Sequence, residues 1–210
     1  MEVTRIRALR GPNLWSHHTA IQSIVSCNPP EHSIASLPGF EARLRERFPE
    51  LGSLQPTGHD DTISMAHVLE MVALGLQAQA GCPVTFSCTT PTLDAHVYQV
   101  VVEYSEEAVG RKALEMAQAI CEAALNDSAF DLAAALAELR DLDEDVRLGP
   151  STGCIVDAAV ARGIPFSRMT EGSMVRFGWG SQQRRIQAAE IDSTSAISEA
   201  IAQDLSLIHI

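Results

Sequence analysis

Between positions 63 and 80 the chain places apolar residues on most sides of a helical turn, which predicts a helix buried at the centre of a core. Thr62 or Ser64 can cap its start. Gly81 suits the left-handed position after its end, and Pro83 prevents continuation. Phe40, Leu44 and Phe48 recur every four residues and predict a short helix, opened by Pro38-Gly39 and ended by Pro49. Arg43, Arg45 and Arg47 fall off that apolar stripe. Ser105 caps a long helix running to about Leu125, with Glu106 and Glu107 in its first turn, where negative charge meets the helix dipole favourably. A further amphipathic helix covers 131–142. Residues 3–9 alternate and predict a strand with Arg5 and Arg7 on one face and Ile6 and Ala8 on the other. Residues 84–88 and 96–104, rich in β-formers, predict two more strands. Arg10-Gly11-Pro12-Asn13-Leu14-Trp15-Ser16 reads as a turn.

Asp141 to Asp145 is acidic and Gly149-Pro150 follows, so a domain boundary is expected near residue 148. Beyond it Ser151 caps a helix that ends at Gly163, with Pro165 behind. Strands follow near 166–170, 173–179 and 184–191, and a last helix begins at Ser193 or Thr194. The expected fold class is α+β. A small sheet packed with helices (1–148) is followed by an incomplete α/β subdomain (149–204). Leu205-Ser206-Leu207-Ile208-His209-Ile210 is an apolar, uncapped tail that looks non-native.

Composition narrows the function. The 210 residues hold 27 acidic and 15 basic side chains, a formal charge of −12, which excludes the basic stripe of a nucleic-acid surface. No apolar run approaches the about 18 residues of a membrane span, and Met1-Glu2-Val3-Thr4-Arg5 leads into no signal-peptide core. The five cysteines (Cys27, Cys82, Cys88, Cys121, Cys154) are odd in number and include no C-x-x-C, so they read as reduced thiols of a cytoplasmic protein. No phosphate-binding loop of the G-x-x-x-x-G-K-[ST] type is present. Gly172, Gly178 and Gly180 fit no phosphate motif and read as turn residues. Arg184 and Arg185 open a strand, one on each face.

Two patches carry a resemblance. One is Arg10-Gly11-Pro12-Asn13-Leu14-Trp15-Ser16. The other is Leu148-Gly149-Pro150-Ser151-Thr152, continuing through Arg162-Gly163-Ile164-Pro165, Glu171-Gly172-Ser173 and Gly178-Trp179-Gly180 to Gln183-Arg184-Arg185-Ile186-Gln187. Shorter matches lie between, at residues 37–40, 66–70, 81–84 and 101–104. Together they resemble cyanophycin synthetase over residues 5–204. The resemblance implies the front end of an ATP-dependent amide ligase that builds multi-L-arginyl-poly-L-aspartate. Aspartate is added to the backbone in an ATP-grasp domain, and arginine to its side chains in a Mur-ligase-like domain. It implies that residues 149–204 begin the ATP-grasp region and that the chain is cut after about Asp204. The catalytic centres, with ATP and magnesium, would lie downstream, leaving no cofactor or metal here. The full-length enzyme is expected to be a homo-oligomer.

Within residues 1–148 the resemblance then gives two candidates. Some relatives carry H-x-x-E-H, a zinc-hydrolase pattern, where this chain has His67-Val68-Leu69-Glu70-Met71. A thioether is a poor zinc ligand, so His67, Glu70 and Met71 read as a degenerate motif; His59 or His96 could complete a site. Arg5, Arg7 and Arg10, with Arg43, Arg45 and Arg47, are the candidate contacts to the polymer's carboxylates. Holding or orienting polymer is the expected work of the segment. The alternatives are a stand-alone polymer- or granule-binding module and a residual metal-dependent hydrolase at His67 and Glu70.

Overall fold

Strand β1 (Glu2–Leu9) pairs antiparallel with β2 (Ala20–Ser26), which pairs with β4 (Val97–Glu103), which pairs with the edge strand β3 (Ser87–Pro91). In this computed structural model residues 1–54, 62–188, 190–195 and 198 are described. They fall into two units, Met1–Val146 and Arg147–Ile210. The expected final helix and the tail 205–210 lie almost wholly outside the described residues.

The first unit packs its helices against one face of its sheet. The register puts Ile21, Ser23 and Val25 of β2 beside Val102, Val100 and Tyr98 of β4. Against this face pack α2 (Met65–Ala80) and α3 (Glu107–Asn126), flanked by α1 (Phe40–Arg47) and α4 (Leu132–Val146). Met65, Leu69, Val72 and Leu76 of α2 and Ile120 and Cys121 of α3 are sealed from solvent. Each fully buried Leu, Ile or Val contributes about 1.5–3 kcal/mol of transfer free energy. Two glycines permit the close approach. A Cβ on Gly75 of α2 would come within 2.9 Å of the Phe48 ring. One on Gly110 of α3 would lie 2.6 Å from Cβ of Tyr104 and 3.2 Å from Ile21.

Several elements differ from the sequence expectation. Strand β2 was not expected, because Ala20-Ile21-Gln22-Ser23-Ile24-Val25-Ser26 shows no clean alternation. It lies between two strands and buries residues of both faces, including Gln22 and Ser23. Strand β3 starts at Ser87, not at 84, because the Glu103 carboxylate takes the N–H groups of Thr85 and Phe86. Pro91 ends β3 on an edge, where a missing donor is tolerated. Helix α4 runs through the acidic 141–145 stretch to Val146. The acidic side chains oppose the helix dipole there, but Leu142 and Val146 pack on the core. Strand β1 bulges between Thr4 and Arg7, with Arg5 at φ 50, so the simple alternation of Arg5 and Arg7 against Ile6 and Ala8 is broken. The N-caps of α2 and α3 are Ser64 and Glu106.

The second unit holds α5 (Pro150–Val160) and an antiparallel sheet ordered β5 (Phe166–Arg168), β6 (Met174–Phe177), β7 (Arg184–Gln187), β8 (Glu190–Ile191). Gly149, not Ser151, is the N-cap, and Pro150 fills the first helical position, where its missing N–H costs nothing. The expected α/β character holds only as a helix beside a sheet, since every pairing is antiparallel. Among the described residues no helix is long and apolar enough to cross a membrane.

Gly110→Ala is expected to destabilise the first unit by about 1–3 kcal/mol, since the new methyl meets the root of Tyr104, which cannot swing away. Urea unfolding of the 210-residue chain measures it.

Candidate functional site

Both sequence candidates lie in the first unit. Helix α2 carries the degenerate motif in its first two turns. His67 occupies the third helical position, where a capping box usually places Glu or Gln. Its Nδ1 lies 3.4 Å from the Ser64 backbone nitrogen and 2.9 Å from Ser64 Oγ. Accepting from the backbone N–H puts the ring proton on Nε2. A zinc-ligating histidine normally donates its second ring N–H to an acceptor, the opposite arrangement. The ring also packs edge-on against Tyr98, with centroids 6.0 Å apart.

Glu70, one turn on, is buried and committed to β3. Ser87 Oγ donates to its Oε1 at 2.7 Å, and Thr89 Oγ1 donates to Oε2. Burial raises the Glu70 pKa, and the two hydroxyl bonds offset part of that rise. Met71 is half-buried against the core. His96 lies against His32 with the rings tilted by 43° and their centroids 4.8 Å apart, and His59 lies outside the described residues. Among the described residues no three His, Cys, Asp or Glu side chains converge to hold a metal ion. The motif therefore ties the start of α2 to its own cap and to the edge strand.

The arginines divide between two elements. On α1, Arg43 and Arg47 both reach the C-terminal end of α3. Arg43 Nε donates to the Ala124 carbonyl at 2.6 Å. Arg47 Nε donates to the Ser128 carbonyl at 2.7 Å, and its Nη2 meets the Asp127 carboxylate at 3.0 Å. Cations there satisfy terminal carbonyls and complement the helix dipole. The Arg47 side chain is only 10% exposed. Arg45 pairs with Glu41 and donates to the Leu51 carbonyl.

The arginines of the first strand stay near solvent. Arg5 is exposed at the bulge. Arg7 Nε donates to Gln22 Oε1 across to β2. Arg10 donates to Glu107 at 2.8 Å, with its own side chain 70% exposed. That bond is the main reason the Glu107 carboxyl titrates below its ordinary range. The adjoining turn is built on Asn13. Its Nδ2 donates to the carbonyls of Gly11 and His18, and its Oδ1 accepts from the N–H groups of Trp15 and Ser16. Sequence reading missed a second polar centre, Glu103. Its buried carboxylate takes the N–H groups of Thr85 and Phe86 at 2.8 and 2.7 Å, and Gln77 donates to its backbone carbonyl at 2.9 Å. The signal available was a carboxylate ending the apolar run Val100-Val101-Val102.

Residues 28–126 of this unit match a family described as the cyanophycin synthase-like N-terminal domain. The similarity extends well beyond it. The chain is 33% identical over 219 residues to the cyanophycin synthetases of Trichormus variabilis and a Nostoc species, and 33% identical over 222 residues to that of Geminocystis herdmanii. These alignments cover 97% of this chain and 24–25% of the relatives, so the chain spans about a quarter of their length.

Two expectations follow. Burial raises the Glu70 pKa above its unfolded value, so its contribution is complete below the ordinary glutamate range and is lost as pH rises through the raised folded value. Glu70→Gln keeps the shape and has no charge to bury, so its stability relative to the parent should improve from pH 4.5 to pH 8 in urea unfolding at each pH. Among the thiols, all five are free; Cys154 is exposed, whereas burial pushes Cys27 and Cys88 to about 11 and Cys121 to about 12. Under native conditions a thiol-specific chromogenic disulfide should modify Cys154 first, with Cys27, Cys82 and Cys121 reacting only on unfolding.

Proposed function

We propose that this chain is the N-terminal part of an ATP-dependent amide ligase of the cyanophycin synthetase kind, and that its first unit holds the growing polymer. The supporting observation is 33% identity sustained over 97% of the chain. In this reading the parent enzyme adds aspartate to a poly-L-aspartate backbone and arginine to its side chains, in the cytoplasm and as a homo-oligomer. Residues 149–204 lead into its ATP-grasp domain. ATP, magnesium and both ligation centres belong to the parts of the parent beyond this chain.

Multi-L-arginyl-poly-L-aspartate carries guanidinium groups and free carboxylates together, so its holder needs both signs of charge. The net charge of −12 suits the polymer's arginines. Arginine forks match its carboxylates. Arg5, Arg7 and Arg10 are the exposed members of the candidate set and make the direct contacts in this reading. Arg43 and Arg47 spend their donors on the end of α3 and brace α1 against it rather than reaching for polymer. The hydrolase alternative is disfavoured by the commitment of His67 Nδ1 to Ser64 and of Glu70 to Ser87 and Thr89.

Co-sedimentation of the 210-residue chain with insoluble multi-L-arginyl-poly-L-aspartate tests this. The chain should pellet with polymer in a salt-sensitive way. The triple variant Arg5→Gln/Arg7→Gln/Arg10→Gln should bind about tenfold more weakly. Its unfolding midpoint should move little, because the Arg10–Glu107 pair is exposed on its arginine side and worth under about 1 kcal/mol. Failure of the parent chain to pellet would refute polymer holding. Equal binding by the triple variant would move the contact elsewhere.

A further inference from the structure

The sheet of the second unit sets two guanidiniums side by side. Arg176 of β6 and Arg185 of β7 are direct partners in the antiparallel register. Their side chains therefore leave the same face from Cβ atoms about 5 Å apart. Ser167 of β5 is the partner of Arg176 on its other side, which completes a row of Ser167, Arg176 and Arg185 across the face. Like charges placed directly opposite destabilise a sheet.

The surroundings do not relieve the repulsion. Among the described residues neither guanidinium pairs with a carboxylate, although Arg10, Arg45, Arg47 and Arg111 of the first unit all do. The other arginines of this sheet and its helix behave differently. Arg168 donates to the Gly172 and Glu171 carbonyls, and Arg162 to the Ala158 carbonyl. Arg176 lies over the Trp179 ring, its guanidinium carbon 5.2 Å from the centroid, and its Nε is buried without an acceptor. Stacking fixes the plane of that guanidinium, while Trp179 and Arg185 remain open to solvent.

We propose that Arg176 and Arg185, with Trp179 as a platform and the Ser167 hydroxyl at the edge, form an oxyanion-binding site on the second unit that takes a carboxylate or phosphate group. Two forks about 5 Å apart at their roots can grip one such group from two sides, and charge-assisted bonds of this kind are the strong ones. The bound anion replaces the like-charge repulsion with two attractions. This site shares no residue with the polymer surface proposed for the first unit and stands or falls independently of it.

The test is 15N NMR of the 210-residue chain, following Nε–H of Arg176 and the indole N–H of Trp179 at constant ionic strength. Inorganic phosphate and N-acetyl-L-aspartate are titrated separately, with chloride as the reference anion. Saturable shifts of both signals are expected, with half-saturation raised at least about tenfold in Arg185→Gln and less in Arg185→Lys. A response to phosphate alone assigns a phosphorylated ligand, and a response to N-acetyl-L-aspartate assigns a carboxylate one. The proposal is overturned if neither anion shifts the signals beyond chloride. It is equally overturned if Arg185→Gln, with an otherwise unchanged spectrum, titrates like the parent.

Discussion

Helix α2 is apolar around most of its circumference, and the first unit is organised by the need to cover it. A helix with only one apolar stripe needs one neighbour; α2 needs several. Strands β3 and β4 take one side, α3 and α4 take others, and Phe48 at the end of α1 fills the notch left by Gly75. Close packing of this kind tolerates little change in volume, which is why the second close approach, Gly110 against Tyr104, also requires a residue without a side chain.

A helix so enclosed must have its polar groups answered locally, because an unpaired buried group costs the full price of desolvation. His67 turns back to its own cap. Glu70 is received by two hydroxyls of the edge strand, and Gln77 Nε2 donates to the Glu103 carbonyl, while its Oε1 is left buried without a partner. Residues at the positions of a zinc-hydrolase pattern here fasten the start of α2 to its own cap and to β3. One substitution of chemistry accompanies this, Met71 standing where the second imidazole of the motif would be.

The arginines show the same division between structure and surface. On a chain with an excess of carboxylates a guanidinium has many possible partners; Arg43 and Arg47 take backbone carbonyls at the end of α3, and Arg47 adds the Asp127 carboxylate beside them. Helix α3 leaves those carbonyls unsatisfied, and the α1 stripe of Phe40, Leu44 and Phe48 brings the arginines of the adjoining face to them. Arg5, Arg7 and Arg10 sit on an edge strand and its exit, where solvent remains. Arg176 and Arg185 lie side by side without a carboxylate, which sets them apart from the paired arginines of the first unit.

What the sequence determined by itself was local: the apolar periodicity of α1, α2 and α3, the glycine after α2, the β-formers of β4, and the patches similar to cyanophycin synthetase. These are signals carried by neighbours along the chain, where the periods of 3.6 and 2 operate. The contacts that decide the candidate sites were not legible, since they join residues far apart in sequence. Arg43 to Ala124, Glu70 to Thr89 and Thr85 to Glu103 are examples. Strand β2 was hidden because a strand buried on both faces loses its alternation, and the start of β3 because a distant carboxylate captured its N–H groups. Tertiary structure alone decided which arginines face solvent and which partners His67 and Glu70 take. Those outcomes depend on which donors and acceptors the packing around α2 brings together.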